Sequence, residues 1–282
     1  MSAGRRVLPA ATRTAPEGKT RRSSPLMAAS SGYLISLLLG LIAIAIWQAV
    51  ADFSSLKQWL LPSPWEVLQA FADSPALIMR HAAVTAEEAL LGFGVALAIG
   101  AALAIAITQS RLAERALYPY VIASQAVPVI AIAPVLVVWF GFGLLPKIVV
   151  IVLITFFPVT INMVDGIRNV DPEMMGLMRS MGASRWQIFR LVQLPSAMPY
   201  FFSGAKVAAA VSVIGAIFGE WVGANEGLGY FLKYSSAQFL TARVFAAILV
   251  LAVMGLALFY AVAFVERKTI PWAKRARHTA SQ

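Results

Sequence analysis

Six long apolar runs constrain this chain more than any other feature of its sequence. A helix needs about 20 mostly apolar residues to cross about 30 Å of hydrocarbon. Lipid offers the backbone no hydrogen-bond partners, so each crossing segment is expected to be helical, and the alternating pattern of a membrane barrel is absent from the sequence. The six predicted spans are roughly Tyr33–Val50, Ala86–Thr108, Pro119–Phe140, Ile148–Val164, Pro199–Trp221 and Val244–Val265.

The composition agrees with a membrane protein and argues against several functions. Hydrophobic residues make up 60% and charged residues 13% of the 282 residues, against about 45–50% and about 25% in soluble domains. The chain has no cysteine and only two histidines, which argues against disulfides, a zinc site or a His-based catalytic triad. We therefore predict an all-α, polytopic helix bundle in a lipid bilayer, with no catalytic residues, no metal and no nucleic-acid partner.

The distribution of Lys and Arg indicates which side of the membrane each segment faces. Six lie before the first span, two between the second and third, four between the fourth and fifth, and five after the sixth. These seventeen oppose five in the alternate segments, so both termini are predicted to be cytoplasmic. Ala49-Val50-Ala51 is similar to a signal-peptide cleavage site, but the length of the first run and the five later spans favour a retained signal anchor.

The chain divides into four segments by composition. Residues 1–30, rich in Ser, Pro, Arg and Thr, are expected to form a disordered basic cytoplasmic tail. Residues 31–85 are expected to hold the first span and an external segment, 86–266 the main transmembrane domain, and 267–282 a second basic tail.

Small residues recur every four positions in the second and fifth spans. Such residues let helix backbones approach closely in lipid, so both stripes predict helix–helix seams. The two stripes are Gly92, Ala96, Gly100, Ala104 and Thr108, and Gly204, Ala208, Ser212 and Ala216.

Two prolines predict a kink in the third span. Each removes a backbone donor and clashes with the preceding turn, and the freed carbonyls are tolerated where they face protein or a water-filled cavity. This span is therefore the first candidate for lining a pathway, although a kink without a role in transport is the alternative. The candidate pathway residues are Gln125, Pro128, Pro134, Thr155, Asn162 and Ser212.

Ionisable residues are almost absent from the middle of the spans. They cost roughly 2.5–3.5 kcal/mol on insertion scales and usually mark proton relays or ion paths. Glu87 and Glu88 open the second span and Glu220 ends the fifth, all near the outer interface. Lys206 is close enough to the inner end to reach the cytoplasm. The energy for transport is therefore expected to come from outside the bundle.

The loop of residues 165–198 contains two predicted short helices. Asp171-Pro172-Glu173 provides an N-cap, a proline at the first helical position and an acid in the first turn. Gly182 ends this helix. Ser184 and Gln187 have capping-box spacing and start a second helix, which Leu194-Pro195 is expected to end.

Methionines and aromatic residues crowd these two helices. An apolar patch in water usually marks a partner site, and flexible methionines suit a surface that stays in contact with a moving partner. A loop folded wholly onto its own bundle is the alternative. The apolar residues are Met174, Met175, Leu177, Met178, Met181, Trp186, Ile188 and Phe189.

These motifs resemble the permease subunits of ATP-binding cassette (ABC) importers. Gly182, nine residues and then Val-Gln-Leu-Pro at 192–195 resemble the cytoplasmic loop signature of that family. Residues 128–143 and 156–162 are similar to its nitrate–sulfonate–taurine branch, and the resemblance covers about 85–272. The chain departs from the family at Gly176-Leu177-Met178, where Glu-Ala-Ala is usual; Glu173, one turn earlier, could replace the acidic contact.

The resemblance implies a type I importer fold and a set of partners. It implies a homodimer of six-helix permease subunits, two cytoplasmic ATPase subunits that bind ATP, and an external solute-binding protein facing residues 52–80 and 221–242. This chain itself would hold no cofactor. The residues that the resemblance assigns to ATPase coupling are Glu173, Met174, Met178, Gly182, Ala183, Ser184, Trp186, Phe189, Leu194 and Pro195.

The solute is the least constrained part of the prediction. Residues 219–224 and 270–272 look like the branch that handles pyrimidine precursors of thiamine, while sulfonates, taurine and nitrate are the alternatives. A stand-alone facilitator or channel is the competing function. A membrane-embedded enzyme is disfavoured, because the spans lack a nucleophile–base set or paired catalytic carboxylates in the sequence pattern.

Overall fold

The computed structural model describes residues 25–53 and 60–272, with side chains from residue 34 onward, and every regular element of that part is helical. The described residues fall into two units, which divide after Val50. Most of the first is α1 (Pro25–Phe53), whose residues 34–53 are long and apolar enough to cross a membrane. Residues 25–30 of the expected disordered tail belong to α1, whereas residues 1–24 and the end of the chain from residue 273 lie outside the described residues.

The second unit contains ten further helices. They are α2 (Pro64–Asp73), α3 (Pro75–Gln109), α4 (Arg111–Ala123), α5 (Val129–Phe140), α6 (Leu144–Arg168), α7 (Pro172–Ser180), α8 (Arg185–Ile188), α9 (Leu194–Trp221), α10 (Leu228–Ala237) and α11 (Thr241–Thr269).

The described helices give five or six candidate membrane spans. Helices α1, α3, α6 and α11 and the segment from α8 through α9 are each long and apolar enough to cross. The bent pair α4–α5 adds a sixth if it counts as one span. The predicted all-α polytopic bundle is confirmed, and six spans correspond to counting the bent pair.

Helix α6 is packed against both α3 and α9, and the small-residue stripes lie at these two seams. A Cβ atom added at Gly100 would lie 3.0 Å from the carbonyl oxygen of Phe156, and one at Gly204 would lie 3.0 Å from the Cα atom of Val159. Because backbone atoms cannot move aside, these sites accept only glycine without a shift. The predicted seams are confirmed; Ala96, Ala104, Ala208, Ser212 and Ala216 on the same stripes are fully buried.

The third span is broken rather than gently kinked. Helices α4 and α5 meet at 104°, and Pro128 lies at the break after a 3-10 turn over Ser124–Ala126. Helix α5 continues through Pro134 to Phe140. The predicted kink is therefore located at Pro128, where a residue without a backbone donor begins the new helix direction.

The fourth span is longer than its predicted limits of Ile148–Val164. Helix α6 runs over 25 residues from Leu144 to Arg168 and passes through Pro158. One proline removes only one internal hydrogen bond from a long helix, so the helix continues through Pro158 beyond the approximate limits given above. As a consequence Lys147, counted above in an external segment, belongs to the helix.

Leu194-Pro195 does not end the second loop helix, so that prediction is wrong. Helix α8 continues through a π-helical turn, Phe189–Gln193, directly into α9. The Leu194 N–H donates to the carbonyl of Phe189, five residues earlier. This wider turn accommodates the Pro195 ring, which would otherwise clash with the carbonyl one turn before it. Residues 185–221 thus form one continuous helical segment.

Candidate functional site

The first loop helix, α7, is capped at both ends by local hydrogen bonds. The Glu173 N–H donates to Oδ1 of Asp171 at 2.8 Å, as the N-cap prediction requires. At the other end Gly182 takes a φ of +76°, a conformation that L side chains rarely adopt. The Ala183 N–H then donates to the Met178 carbonyl at 3.0 Å. The predicted helix and its glycine break are confirmed.

The second loop helix starts at the predicted capping box and is anchored in the bundle. The Ser184 N–H donates to Oε1 of Gln187 at 2.7 Å, and the Gln187 N–H donates to Oγ of Ser184 at 3.3 Å. Ile188 and Phe189 are buried. Phe189 belongs to a core cluster with residues of α3 and α6, namely Ala104, Ile107, Val164 and Ile167.

Phe189 is therefore buried in the bundle, and its assignment to ATPase coupling stays a prediction. It faces the bundle because α8 is continuous with α9, which already packs on α6. Its role is to anchor the loop. Leu194 and Pro195, also assigned to ATPase coupling, are half-buried in the first turn of α9.

The remaining loop residues form an exposed apolar surface, which we call the loop face: Met174, Leu177, Met181 and Trp186. Their exposed fractions are 47%, 55%, 73% and 65%. No residue of α7 is buried, so the alternative of a loop folded wholly onto its own bundle is wrong. Of the other assigned residues, Glu173, Gly182 and Ser184 are exposed, and Met178 and Ala183 are half-buried.

The base of the loop is linked to the broken third span. Arg168, the last residue of α6, pairs with Glu114 of α4 at 2.6 Å and lies 5.3 Å from the ring centre of Tyr118. A small cavity of about 170 Å³ adjoins this pair and reaches Met175 of α7. The end of α6, from which the loop departs, is therefore joined to α4 by this ion pair.

The candidate pathway residues are divided between the interior and the surface of the subunit. Thr155 and Ser212 are fully buried, and their hydroxyls donate to carbonyls of their own helices at 2.5 and 2.8 Å. Asn162 is half-buried and donates to the Pro158 carbonyl at 2.7 Å. Gln125, Pro128 and Pro134 are exposed on the bent pair. The three exposed residues can face a pathway in this conformation; their role stays a prediction.

A buried polar cluster lies where α9 ends and α10 begins. It consists of His81, Thr85 and Glu88 from α3, Lys147 from α6 and Glu220 from α9. Lys147 Nζ lies 2.5 Å from Oε1 of Glu88, and Thr85 Oγ1 lies 2.6 Å from Oε1 of Glu220. Sequence reasoning missed this cluster because its members are up to 139 positions apart. The one available signal was that each is a polar residue in an otherwise apolar segment.

Lys206 does not extend to the cytoplasm as a free side chain, contrary to prediction. Its Nζ lies 2.7 Å from Oε2 of Glu266 in α11, and both side chains are largely buried. A carboxylate one helix away satisfies the ammonium group, so no extension towards water is needed.

Comparison with known proteins identifies the family. The family model described as binding-protein-dependent transport system inner membrane component matches residues 94–271. The formylaminopyrimidine transport permease protein ThiX of Halalkalibacterium halodurans is 38% identical over 236 residues, covering 83% of this chain and 94% of that protein. The riboflavin transport system permease protein RibX of Chloroflexus aurantiacus is 36% identical over 234 residues, covering 82% and 87%.

More distant relatives and solved structures agree. The putative aliphatic sulfonates transport permease protein SsuC of Bacillus subtilis is 30% identical over 243 residues, covering 86% of this chain and 88% of that protein. A crystal structure of an amino acid ABC transporter superposes with a TM-score of 0.57 at 17% identity, covering 71% and 97%. The inward-facing MetNI methionine ABC transporter gives 0.53 at 23% identity, covering 73% and 97%.

The structural likeness shows the shared fold, and the sequence matches show the family. The apolar helices of the described residues agree with a protein that crosses the membrane several times. This chain belongs to the binding-protein-dependent transport system inner membrane components, as a permease subunit of an ABC importer.

Proposed function

We propose that the loop face is the surface on which a separate ATPase subunit docks and through which it drives transport. The observation that carries this proposal is an exposed apolar surface on a loop whose second helix is continuous with the buried helix α9. Met174, Leu177 and Trp186 project from the loop, while Phe189 is buried in the core. Apolar residues that are exposed on a rigid support are typical of a partner site.

The loop is connected to the bundle in a way that transmits movement. Helix α8 continues through the π turn into α9, and α9 packs along α6. A displacement of Trp186 therefore acts on the whole segment of residues 185–221. The Arg168–Glu114 pair joins the end of α6, from which the loop departs, to α4 of the bent pair. ATP is bound and hydrolysed by the partner; this chain supplies the moving pathway.

Charge and exposure support a membrane orientation and a mode of subunit association. The excess of Lys and Arg in the tails and in the 165–198 loop supports a cytoplasmic location for both termini and the loop face. The segment of residues 221–242 then faces the external solute-binding protein. Only Ala133 and Leu136 of α5 are buried within the subunit, which supports a homodimer in which the bent pairs of two copies enclose the pathway.

We propose an uncharged ring compound, of the pyrimidine class, as the solute. The support is the 38% identity to a formylaminopyrimidine permease and the pairing of lysines in the spans. Lys147 and Lys206 are each neutralised by a glutamate, so neither is free to hold a sulfonate. Sulfonates and taurine are the competing solutes, since more distant relatives are named for them.

Co-purification with an ABC-type ATPase subunit tests the docking surface. Trp186→Ala removes the most accessible aromatic residue of the loop face, and truncation of such an anchor typically costs about 2 kcal/mol or more, roughly 30-fold in affinity. Trp65→Ala is the matched control, because Trp65 is 62% exposed on α2. We expect Trp186→Ala alone to lose the ATPase; equal loss or retention in both variants would refute the docking site.

A further inference from the structure

The buried polar cluster holds more negative charge than it can balance if every acid is ionised. Glu88 and Glu220 are 3% and 1% exposed, and Lys147 is the cation that faces them. Of the other titratable groups nearby, His81 accepts a hydrogen bond at Nδ1, Glu87 is exposed, and Glu226 pairs with Arg80 at 2.5 Å. Two ionised glutamates would leave one uncompensated charge out of water, which is costly.

The geometry indicates which glutamate is ionised. Lys147 Nζ contacts Oε1 of Glu88 directly, so Glu88 is the carboxylate of the ion pair. Its second oxygen, Oε2, is buried without a hydrogen-bond partner. Glu220 lies close enough to Glu88 to interact with it electrostatically, and two close carboxylates disfavour double ionisation.

The hydrogen bonds around Thr85 accommodate the same assignment. Its Oγ1 receives the Leu228 N–H at 2.8 Å and lies 3.2 Å from the His81 carbonyl and 2.6 Å from Oε1 of Glu220. A hydroxyl has one hydrogen and cannot donate to both oxygens. If Glu220 carries a proton on Oε1, it donates to Thr85, and the Thr85 hydrogen serves the His81 carbonyl.

We propose that Glu220 is a neutral carboxylic acid whose hydrogen bond to Thr85 holds the start of α10 on the bundle. Three successive backbone N–H groups of that start are each accepted by a cluster side chain. Gly227 donates to Nδ1 of His81 at 3.0 Å, Leu228 donates to Thr85, and Gly229 donates to Oε2 of Glu220. Glu220 is thus a positioning residue for residues 222–240, independently of which solute is carried.

Replacing each glutamate by glutamine tests the assignment, because glutamine has the shape of a protonated acid. Glu220→Gln keeps a donor for Thr85 and an acceptor for Gly229, so we expect a melting temperature close to that of the unmodified chain in detergent. Glu88→Gln leaves Lys147 buried without its counter-ion and should lower the melting temperature by on the order of 10 °C. Glu226→Gln, in an exposed pair, is the control and should change little.

Infrared spectroscopy of the unmodified full chain gives a second readout that does not depend on variant folding. We expect a protonated-carboxyl stretch near neutral pH that shifts in D₂O and disappears in Glu220→Gln. The proposal is overturned if that band is absent, or if Glu220→Gln destabilises the chain as much as Glu88→Gln. Both measurements use the chain without an ATPase, so their outcome is separate from that of the docking experiment.

Discussion

Packing at the α6–α9 seam can be tested by adding a single methyl group. In Gly204→Ala the new Cβ would lie 3.0 Å from the Val159 Cα atom and against the Pro158 carbonyl oxygen, both of which are backbone atoms. Gly94→Ala is the matched control, because nothing lies within 4 Å of a Cβ added there. Both changes replace glycine by alanine inside a helix, so both gain about 1 kcal/mol of helix propensity.

The difference between the two variants isolates the cost of overpacking. Overpacking a close seam costs about 1–3 kcal/mol, which corresponds to a melting temperature about 2–12 °C lower at roughly 2–4 °C per kcal/mol. Thermal unfolding of both variants in the same detergent measures this difference. Equal melting temperatures, or a higher value for Gly204→Ala, would refute the close approach of α9 to α6.

Further variants probe the loop, its anchor and the Lys206–Glu266 pair. Gly176→Ala should stabilise the exposed helix α7 by about 1 kcal/mol, detectable as slower amide exchange over 173–180, since a Cβ there meets open space. Phe189→Ala should lower stability by about 3–5 kcal/mol, whereas Leu191→Ala, at a side chain 62% exposed, should have a small effect in the same thermal assay. Lys206→Met should destabilise the chain by leaving the Glu266 carboxylate unpaired; adding Glu266→Met should restore most of the loss, and a double variant no better than the single one would contradict the pair.

Features that depend on neighbouring residues could be predicted from the sequence. The two seams followed from glycine and alanine at every fourth position, and both are buried between helices. The start of α7, its break at Gly182 and the Ser184 capping box are set by a few consecutive residues, and all three are present. Local hydrogen-bonding chemistry decides such features without help from the rest of the chain.

Features that depend on tertiary packing were predicted wrongly or missed. Pro195 was expected to end a helix, but the π turn before it allows the chain to continue. Phe189 belongs to an apolar loop pattern, and only the packing of α9 on α6 shows that it faces inward. The partners of Glu220 come from other helices, so no local pattern could join it to Thr85.

Uptake into proteoliposomes tests most directly whether an ATPase bound at the loop face drives transport. The chain is reconstituted alone and together with an ABC-type ATPase and a solute-binding protein, and uptake of labelled formylaminopyrimidine is followed with and without ATP. An importer driven through its loop predicts uptake only by the complete complex with ATP, and loss of that uptake in Trp186→Ala but not in Trp65→Ala. Comparable uptake by the chain alone would contradict it and would identify a self-sufficient facilitator.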